Sequence, residues 1–136
     1  MENTLHDNDR VVITSLFYTP AQGDIVVINQ PNEFNEPIIK RIIALENQTV
    51  DINFETGEVS VDGVVLEEPY ISTPTTVNEG VVFPVTVPEG KVFVLGDNRQ
   101  NSTDSRSEMI GMIDTRYILG KAVFRIFPFD KIGMLS

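Results

Sequence analysis

Two segments of the chain carry side chains that could take part in acid–base chemistry. The first is the apolar run 37–45, PIIKRIIAL, in which Lys40 and Arg41 stand between aliphatic residues. Successive side chains of a strand point to opposite faces, so we expect the two cations on different apolar faces. Burial disfavours the ammonium form and lowers the pKa of a lysine, which can make Lys40 a general base near neutral pH. Arg41 cannot lose its proton in this way and would need a carboxylate partner.

The same run also permits an interpretation without catalysis. A lysine at the edge of a sheet can lay its methylene groups along apolar neighbours while its ammonium group stays in water. The strand alone leaves both interpretations of Lys40 open, and the choice depends on what the rest of the chain can bring to it.

The second segment, residues 96–106, favours the catalytic interpretation. It reads GDNRQNSTDSR and directly follows the apolar run 91–95. Its two carboxylates, two guanidinium groups and short polar side chains could pair a buried Arg41 and orient a neutral lysine amine. A calcium loop is excluded, because Arg99 occupies its third position and Ser102 its sixth, where a glycine belongs. The remaining alternative is an ordinary polar loop.

Charge and composition exclude several classes of function. The chain has 20 acidic and 10 basic residues, and its net charge of −10 would repel a phosphate backbone, so we expect no nucleic-acid partner. It has no cysteine and one histidine, His6, which excludes a disulfide framework and a Cys/His zinc site. We predict no metal and no cofactor, although Asp and Glu could still bind a hard cation. No run reaches the roughly 18 to 20 apolar residues of a membrane span.

The hydrophobic pattern predicts a mainly β fold. Apolar residues recur in short β-branched runs separated by Gly, Pro, Asn and Asp, without a helical stripe of useful length. Candidate strands are residues 10–17, 24–29, 37–45, 49–54, 58–61, 64–66, 81–87, 91–95 and 117–127. Tight hairpin turns are expected at 55–57 and 62–63, and an extended, proline-rich excursion at 67–90. We predict a main β core of residues 1–49 and 89–136 with a smaller inserted cap, residues 50–88.

Residues 96–106 also resemble a family signature. Bacterial type I signal peptidases carry a motif very close to GDNRxNSxDSR, which this segment matches throughout. They also carry a strand with a Lys-Arg pair, matched by Lys40 and Arg41, and a GDIVV motif ahead of it, matched by residues 23–27. The closing GKAVFRIFP, residues 120–128, is similar as well. The resemblance implies a signal-peptidase-like antiparallel β-domain with a smaller inserted β cap.

The resemblance further implies roles for individual residues. Lys40 would be the general base of a Ser/Lys dyad, with Ser102 holding its amine, and Asp104 would bridge Arg106 and Arg41. Shallow pockets that accept small side chains at the first and third positions before the cut would be lined by Met1, Leu5, Val11, Val27, Ile38 and Ile39. The implied function is the removal of N-terminal signal peptides from secreted preproteins after Ala-x-Ala-like sites.

The beginning of the chain departs from the family pattern. The nucleophile of the family lies in the motif SMxPTL, whereas this chain begins MENTL, so Met1 aligns with the residue after the serine. Asn3 replaces the proline of that motif, and residues 46–48, Glu-Asn-Gln, replace the usual Pro-Gly-Asp. Ser15, Ser102 and Ser105 each fall at a position with another role in the family or none. We therefore expect the 136-residue chain to be inactive as given. The family implies a missing N-terminal membrane anchor and a catalytic domain on the extracytoplasmic face of the cell membrane.

Three functions compete at this stage. The first is the catalytic domain of a membrane-anchored serine endopeptidase that acts on signal peptides. The second is a non-catalytic homologue that has kept the peptide groove and acts as a binding module, and the residue before Met1 in the parent gene would separate the two. A self-cleaving repressor-type Ser/Lys protease ranks below both, because the 96–106 signature belongs to signal peptidases and the chain has no helical DNA-binding segment.

Overall fold

The computed structural model describes residues 10–14, 18–29, 37–71, 73–127 and 133–134. In these ranges the chain forms β-strands joined by turns, with one turn of 3-10 helix at Thr115–Tyr117. The strands are β1 (Arg10–Thr14), β2 (Ile25–Ile28), β3 (Ile38–Ala44), β4 (Thr49–Asn53), β5 (Glu58–Val61), β6 (Val64–Val65), β7 (Val85–Thr86), β8 (Lys91–Leu95), β9 (Ile113–Asp114), β10 (Ile118–Phe127) and β11 (Gly133–Met134). No helix in the described ranges is long and apolar enough to cross a membrane.

The strands form two sheets. The larger sheet has the order β1-β10-β2-β3-β8-β9, and β11 pairs with β10 beside this path. The smaller sheet has the order β6-β5-β4-β7. Neighbouring strands of the described residues run antiparallel in both sheets. The prediction of a mainly β, antiparallel fold is therefore confirmed.

Burial explains why the central strands of the larger sheet are almost continuously apolar. Strand β3 is buried from Lys40 to Ala44, and β8 is buried from Val92 to Leu95. Strands covered on both faces lose the alternation of apolar and polar residues. In the smaller sheet β4 and β5 keep that alternation, because only one of their faces packs inward.

A single hydrophobic cluster joins the two sheets. It contains Ile43 from β3 and Phe93 and Leu95 from β8, packed together with Val50 and Val59 of the smaller sheet. A second cluster, around Val26, Ile42 and Val94, covers the opposite face of the larger sheet. The division of the chain into a core and an inserted cap, residues 50–88, stays a prediction, since the smaller sheet shares its buried side chains with the larger one.

The predicted strands and the observed strands differ mainly where the chain is rich in proline. The run 81–87 is predicted to form one strand, but the strand within it spans only Val85–Thr86, although Val87 also exchanges backbone hydrogen bonds with Asn47 and Gln48. Pro84 and Pro88 flank this pair, and proline has no N–H to donate to a sheet. Strands β9 and β11 were not predicted, because two residues are too short to show a hydrophobic period.

The hairpin turns of the smaller sheet use left-handed backbone conformations. Asp62 and Gly63 have φ values of 50° and 82°, as the predicted Asp-Gly turn between β5 and β6 requires. Gly57, in the turn before β5, has a φ of 82°. A Cβ atom at Gly57 would lie 2.7 Å from the backbone nitrogen of Thr75 and 2.9 Å from Cα of Pro74. The turn at Gly57 is thus pressed directly against the main chain of the proline-rich excursion.

This contact predicts unequal costs for two glycine substitutions with the same φ. Gly63 has a φ of 82° and no atom within 4 Å of a built Cβ atom, so Gly63→Ala should cost only the left-handed strain, roughly 1 to 2 kcal/mol. Gly57→Ala should cost about 1 to 3 kcal/mol more, because the new methyl group meets backbone that cannot rotate away. Urea unfolding of both variants measures the difference. Equal losses of unfolding free energy would show that the excursion moves aside freely.

Candidate active site

Lys40 lies on the central strand β3 and is 8% exposed. Its cross-strand neighbour is Val26 of β2, so the side chain leaves the sheet through an apolar surface. Nζ of Lys40 donates a hydrogen bond to Oγ of Ser102, 2.9 Å away. Burial lowers the pKa of Lys40, while the negative charges of Asp104 and Glu79 oppose that shift. The interpretation of Lys40 as a solvated edge residue does not fit this burial.

Ser102 reaches Lys40 because Gly96 leaves room for it. A Cβ atom at position 96 would lie 2.7 Å from Cβ of Ser102 and 3.4 Å from Nζ of Lys40. The contact with Ser102 is too short to form unless one of the two residues moves, whereas the distance to Lys40 is at the lower end of ordinary contacts. The first glycine of the 96–106 signature therefore allows Ser102 to pack over the backbone and meet the amine.

Arg41 points to the other face of β3 and pairs with Asp97. Its Nε and Nη2 donate to the two carboxylate oxygens of Asp97 at 2.9 and 2.8 Å, and the side chains are 2% and 0% exposed. Nη1 donates to the carbonyl oxygen of Gly23 at 2.9 Å. The ring of Tyr70 lies against the guanidinium group, whose carbon is 4.0 Å from the ring centroid. Arg41 is thus held by the GDIVV and GDN motifs together.

The resemblance predicts that Asp104 bridges Arg106 and Arg41. This prediction is wrong for Arg41, which pairs with Asp97 instead. Arg41 pairs in register with Leu95 of β8, so the residues that follow Leu95 continue past it. Asp97 stands two positions after Leu95 and shares its face, which brings this carboxylate to the guanidinium group. Asp97 follows from the register between β3 and β8, which the sequence alone does not give.

Asp104 and Arg106 form the second buried ion pair. Nε and Nη2 of Arg106 each donate to one carboxylate oxygen of Asp104 at 2.9 Å, and both side chains are fully buried. Asp104 also accepts a hydrogen bond from the backbone N–H of Gly96 at 3.0 Å. Arg106 in turn donates to the carbonyl oxygens of Ser102 and Arg99 at 3.3 and 2.9 Å. The pair predicted from sequence is present and closes the 96–106 loop around the Lys40 amine.

Arg99 is a third buried arginine of the described residues, and the sequence pattern does not indicate its partners. Its Nε donates to the carbonyl oxygen of Gly96 at 2.6 Å, and its Nη1 contacts Oε2 of Glu68 at 2.7 Å and Oγ1 of Thr75 at 2.9 Å. Glu68 and Thr75 belong to the proline-rich excursion, which was predicted only to be extended. Nothing in the local pattern of 67–90 indicates that it returns to the site, because these contacts span 24 residues or more.

The predicted substrate-binding residues are brought together only in part. Val27 and Ile39 are direct cross-strand partners, whereas Ile38 pairs with Ile28 and lies on the opposite face of β3, the face of Lys40. Val11 is in β1, where its backbone partner is Arg125. Met1 and Leu5 lie outside the described residues.

The strand that carries Lys40 is paired unequally along its two edges. Strand β3 pairs with β2 from Ile38 to Arg41, but with β8 only from Arg41 to Ala44. Beyond Leu95 the chain turns away into the 96–106 loop, so residues 38–40 face no described strand on that side. An extended peptide could add there by backbone pairing. Among the described residues, no group of three or more His, Asp or Glu side chains is arranged to hold a metal ion.

Comparison with known proteins gives consistent matches over most of the chain. A family model described as signal peptidase, peptidase S26, matches residues 1–127. A probable signal peptidase I-1 of Synechocystis sp. is 40% identical, over 98% of this chain and 69% of its own length. A signal peptidase I of Bacillus licheniformis is 39% identical, over 97% of this chain and 74% of its own length. The crystal structure of a signal peptidase I from Enterococcus faecalis V583 has a TM-score of 0.60 at 31% identity, covering 76% of this chain and 97% of that one.

Two ion pairs of the same local geometry allow the role of burial to be tested. Asp104–Arg106 and Asp114–Arg116 both join residues two apart, and in each the carboxylate accepts bonds from the backbone N–H, Nε and Nη2 of the arginine. The first pair is fully buried, whereas Arg116 is 80% exposed. Asp104→Ala should therefore lower the free energy of unfolding by roughly 3 to 5 kcal/mol, because it leaves a buried guanidinium group without its carboxylate.

Asp114→Ala is the matched control, and its loss should be much smaller, because water replaces the carboxylate at the exposed pair. Urea or thermal unfolding of both variants at moderate salt gives the comparison. If the two variants lose the same stability, the Asp104–Arg106 pair does not hold the 96–106 loop in place.

Proposed function

The chain belongs to the signal peptidase family, peptidase S26, and we propose that it removes N-terminal signal peptides from secreted preproteins by the chemistry of a Ser/Lys dyad, after Ala-x-Ala-like sites. The observation that carries the proposal is the buried Lys40 amine, held 2.9 Å from Oγ of Ser102 at the end of a strand edge that no described strand pairs with. A buried lysine whose pKa is lowered has more of its neutral amine at a given pH than an exposed one. This is the form that a general base requires.

In the proposed reaction Lys40 accepts the proton of a serine hydroxyl, and the serine oxygen attacks the carbonyl carbon of the scissile peptide bond. The carbon–nitrogen bond then breaks as Lys40 returns the proton to the leaving amine of the mature protein. The signal peptide is left as an ester on the serine. Water, deprotonated by the same amine, hydrolyses the ester and restores the serine. By resemblance to the family motif, this serine would stand directly before Met1.

The supporting residues would act on the orientation of the base. Ser102 accepts the hydrogen bond of Lys40 and so limits the rotation of the amine about its long side chain. Asp104 accepts a hydrogen bond from the backbone N–H of Gly96, and Arg106 donates one to the carbonyl oxygen of Ser102. The bidentate Arg41–Asp97 pair fixes the residue next to Lys40 on the opposite face of β3. In this proposal none of these five side chains transfers a proton.

Substrate would be held mainly by its backbone. A protease that accepts many unrelated signal peptides cannot depend on reading their side chains, and an added strand supplies affinity through main-chain hydrogen bonds. The free edge at residues 38–40 would align such a peptide so that its scissile carbonyl lies near Lys40. The first and third residues before the cut would then share one face of the added strand. Ile38 offers half-buried apolar surface on the Lys40 face of β3, whereas Val27 and Ile39 offer theirs on the opposite face.

The family also implies where the domain works. We propose that it acts at the extracytoplasmic face of the cell membrane, on preproteins whose signal peptides are still associated with that membrane. No nucleic acid, metal or cofactor takes part in the proposed reaction. The proposed core, residues 1–49 and 89–136, would carry Lys40 and the signature loop, and the cap, residues 50–88, would support them.

A second candidate function is a peptide-binding module without catalysis. It is favoured by the free edge of β3, since backbone pairing at residues 38–40 would not need a nucleophile. The two functions make the same prediction for binding and opposite predictions for cleavage, so both measurements are needed.

The cleavage test compares the 136-residue chain with the same chain extended by a serine before Met1. We expect cleavage of an Ala-x-Ala preprotein by the extended chain and none by the 136-residue chain, which has no side chain at the position of the family's serine. Lys40→Met in the extended chain should lower the rate by roughly 10²- to 10⁴-fold, as expected for loss of a general base. Product formation is followed by mass spectrometry.

Two outcomes of the cleavage test would overturn the assignment. Turnover by the 136-residue chain that survives repurification and disappears in Ser102→Ala would identify Ser102 as the nucleophile instead. A folded, serine-extended chain that binds the substrate without cleaving it would favour the binding module.

The binding test uses the 136-residue chain and peptides that end in Ala-x-Ala. We expect weak binding that tolerates a large middle residue and is lost when the residue before the cut becomes Phe, because that side chain enters a small apolar pocket. Amide chemical shifts should change around residues 37–40. Ile39→Asp should weaken binding about tenfold or more, whereas Val64→Asp, at a residue 67% exposed on β6, should not. Shifts confined to the smaller sheet, or equal affinity for the Phe peptide, would rule the groove out.

A further inference from the structure

The three buried arginines near Lys40 are each contacted from the same stretch of chain, residues 68–79. Tyr70 stacks on Arg41, Glu68 pairs with Arg99, and Glu79 contacts Arg106. Residues 68–79 lie within the predicted cap and match no part of the family motifs described above. Of the three contacting side chains, Glu79 is a carboxylate whose charge acts on Lys40 itself.

The backbone around Glu79 is fastened to the signature loop. The N–H of Val81 donates to the carbonyl oxygen of Arg106 at 3.0 Å, and Gly80 and Ser107 form an isolated antiparallel bridge. The carboxylate of Glu79 lies 3.3 Å from Nη2 of Arg106, and it accepts a long hydrogen bond, 3.4 Å, from the backbone N–H of Asp104. Its side chain is 14% exposed. Glu79 is therefore a fixed part of the site rather than a mobile surface residue.

Among the described residues, the charges around Lys40 do not balance when its amine is neutral. The groups that act on it are Asp104, Glu79, Arg106 and Asp97. The charge of Asp97 is matched by its bidentate pair with Arg41. The remaining two carboxylates share the single guanidinium group of Arg106, which leaves this cluster with one excess negative charge. Burial, and the nearby charge of Asp104, raise the pKa of Glu79, as expected for two carboxylates on one arginine.

We propose that Glu79 is a positioning residue for Lys40: its carboxylate, held against Arg106 and the Asp104 backbone, supplies the excess negative charge of the buried cluster that holds the Ser102 loop against the amine. The inference rests on the proposed function, in which Lys40 is the base. A negative charge near an amine favours its ammonium form, so Glu79 counteracts part of the effect of burial. Loss of that charge should make Lys40 release its proton at a lower pH. Glu79 thus limits how far burial can neutralise the base.

The test is an NMR titration of lysine side chains labelled with ¹³C at Cε. The chain has four lysines, and the signal of Lys40 is assigned by its absence in Lys40→Met. Glu79→Gln keeps the shape and the hydrogen-bond acceptor but removes the charge. We expect the midpoint of the Lys40 titration to fall by roughly half a unit to one unit of pH. Glu89→Gln, at an exposed glutamate in the turn before β8, is the control and should leave the midpoint unchanged.

The outcomes separate this inference from the proposed function. A wild-type Lys40 midpoint well below about 10.4 that is unchanged in a natively folded Glu79→Gln overturns the role of Glu79 and leaves the base in place. A wild-type midpoint near 10.4 overturns the base, and the inference with it. If Glu79→Gln lacks a native amide spectrum, Glu79→Asp is titrated instead, and its withdrawn carboxylate should give a smaller fall in the same direction. A midpoint in Glu79→Asp equal to that of the wild type would count against the proposal.

Discussion

The ion pair between Arg41 and Asp97 joins the central strand of the larger sheet to the loop that carries Ser102. Lys40 and Arg41 are neighbours on β3 and pose opposite electrostatic problems, because a buried lysine can lose its charge and a buried arginine cannot. Asp97 compensates the charge of Arg41 by accepting a hydrogen bond on each of its carboxylate oxygens. Because Asp97 follows Gly96, the same contact fixes where the loop leaves β8 and hence where Ser102 meets the Lys40 amine.

The excursion at residues 67–90 completes this arrangement from the other side. Arg99 forms an ion pair with Glu68 and donates a hydrogen bond to Oγ1 of Thr75, and Gln100 donates to the carbonyl oxygen of Pro74 at 3.0 Å. The smaller sheet, whose hairpin turn presses on the same excursion, shares its buried side chains with β3 and β8. The smaller sheet and the site therefore share buried contacts, through the hydrophobic cluster at β3 and β8 and through the excursion.

The parts that sequence could predict are those set by short-range patterns. Alternation along residues 37–45 placed Lys40 and Arg41 on opposite faces of a buried strand, and the signature placed Ser102 and the Asp104–Arg106 pair at the site. The partner of Arg41 was wrong, because it depends on the register between β3 and β8. The contacts of Glu68, Tyr70 and Glu79 were not foreseen at all. They join segments that are far apart in sequence, and no periodicity in a proline-rich excursion reports its tertiary partners.

Gly96 illustrates how one position can be restricted by another. Its backbone does not adopt the left-handed conformation that usually reserves a site for glycine. The restriction comes from Ser102, and replacing that serine with alanine would not lift it, because the Cβ atom of residue 102 alone would lie 2.7 Å from a new Cβ atom at 96. Only glycine at 102 would make space, and it would remove the hydroxyl that binds Lys40. A single substitution of Gly96 is therefore not expected to be neutral, since any side chain at this position displaces Ser102 from the Lys40 amine.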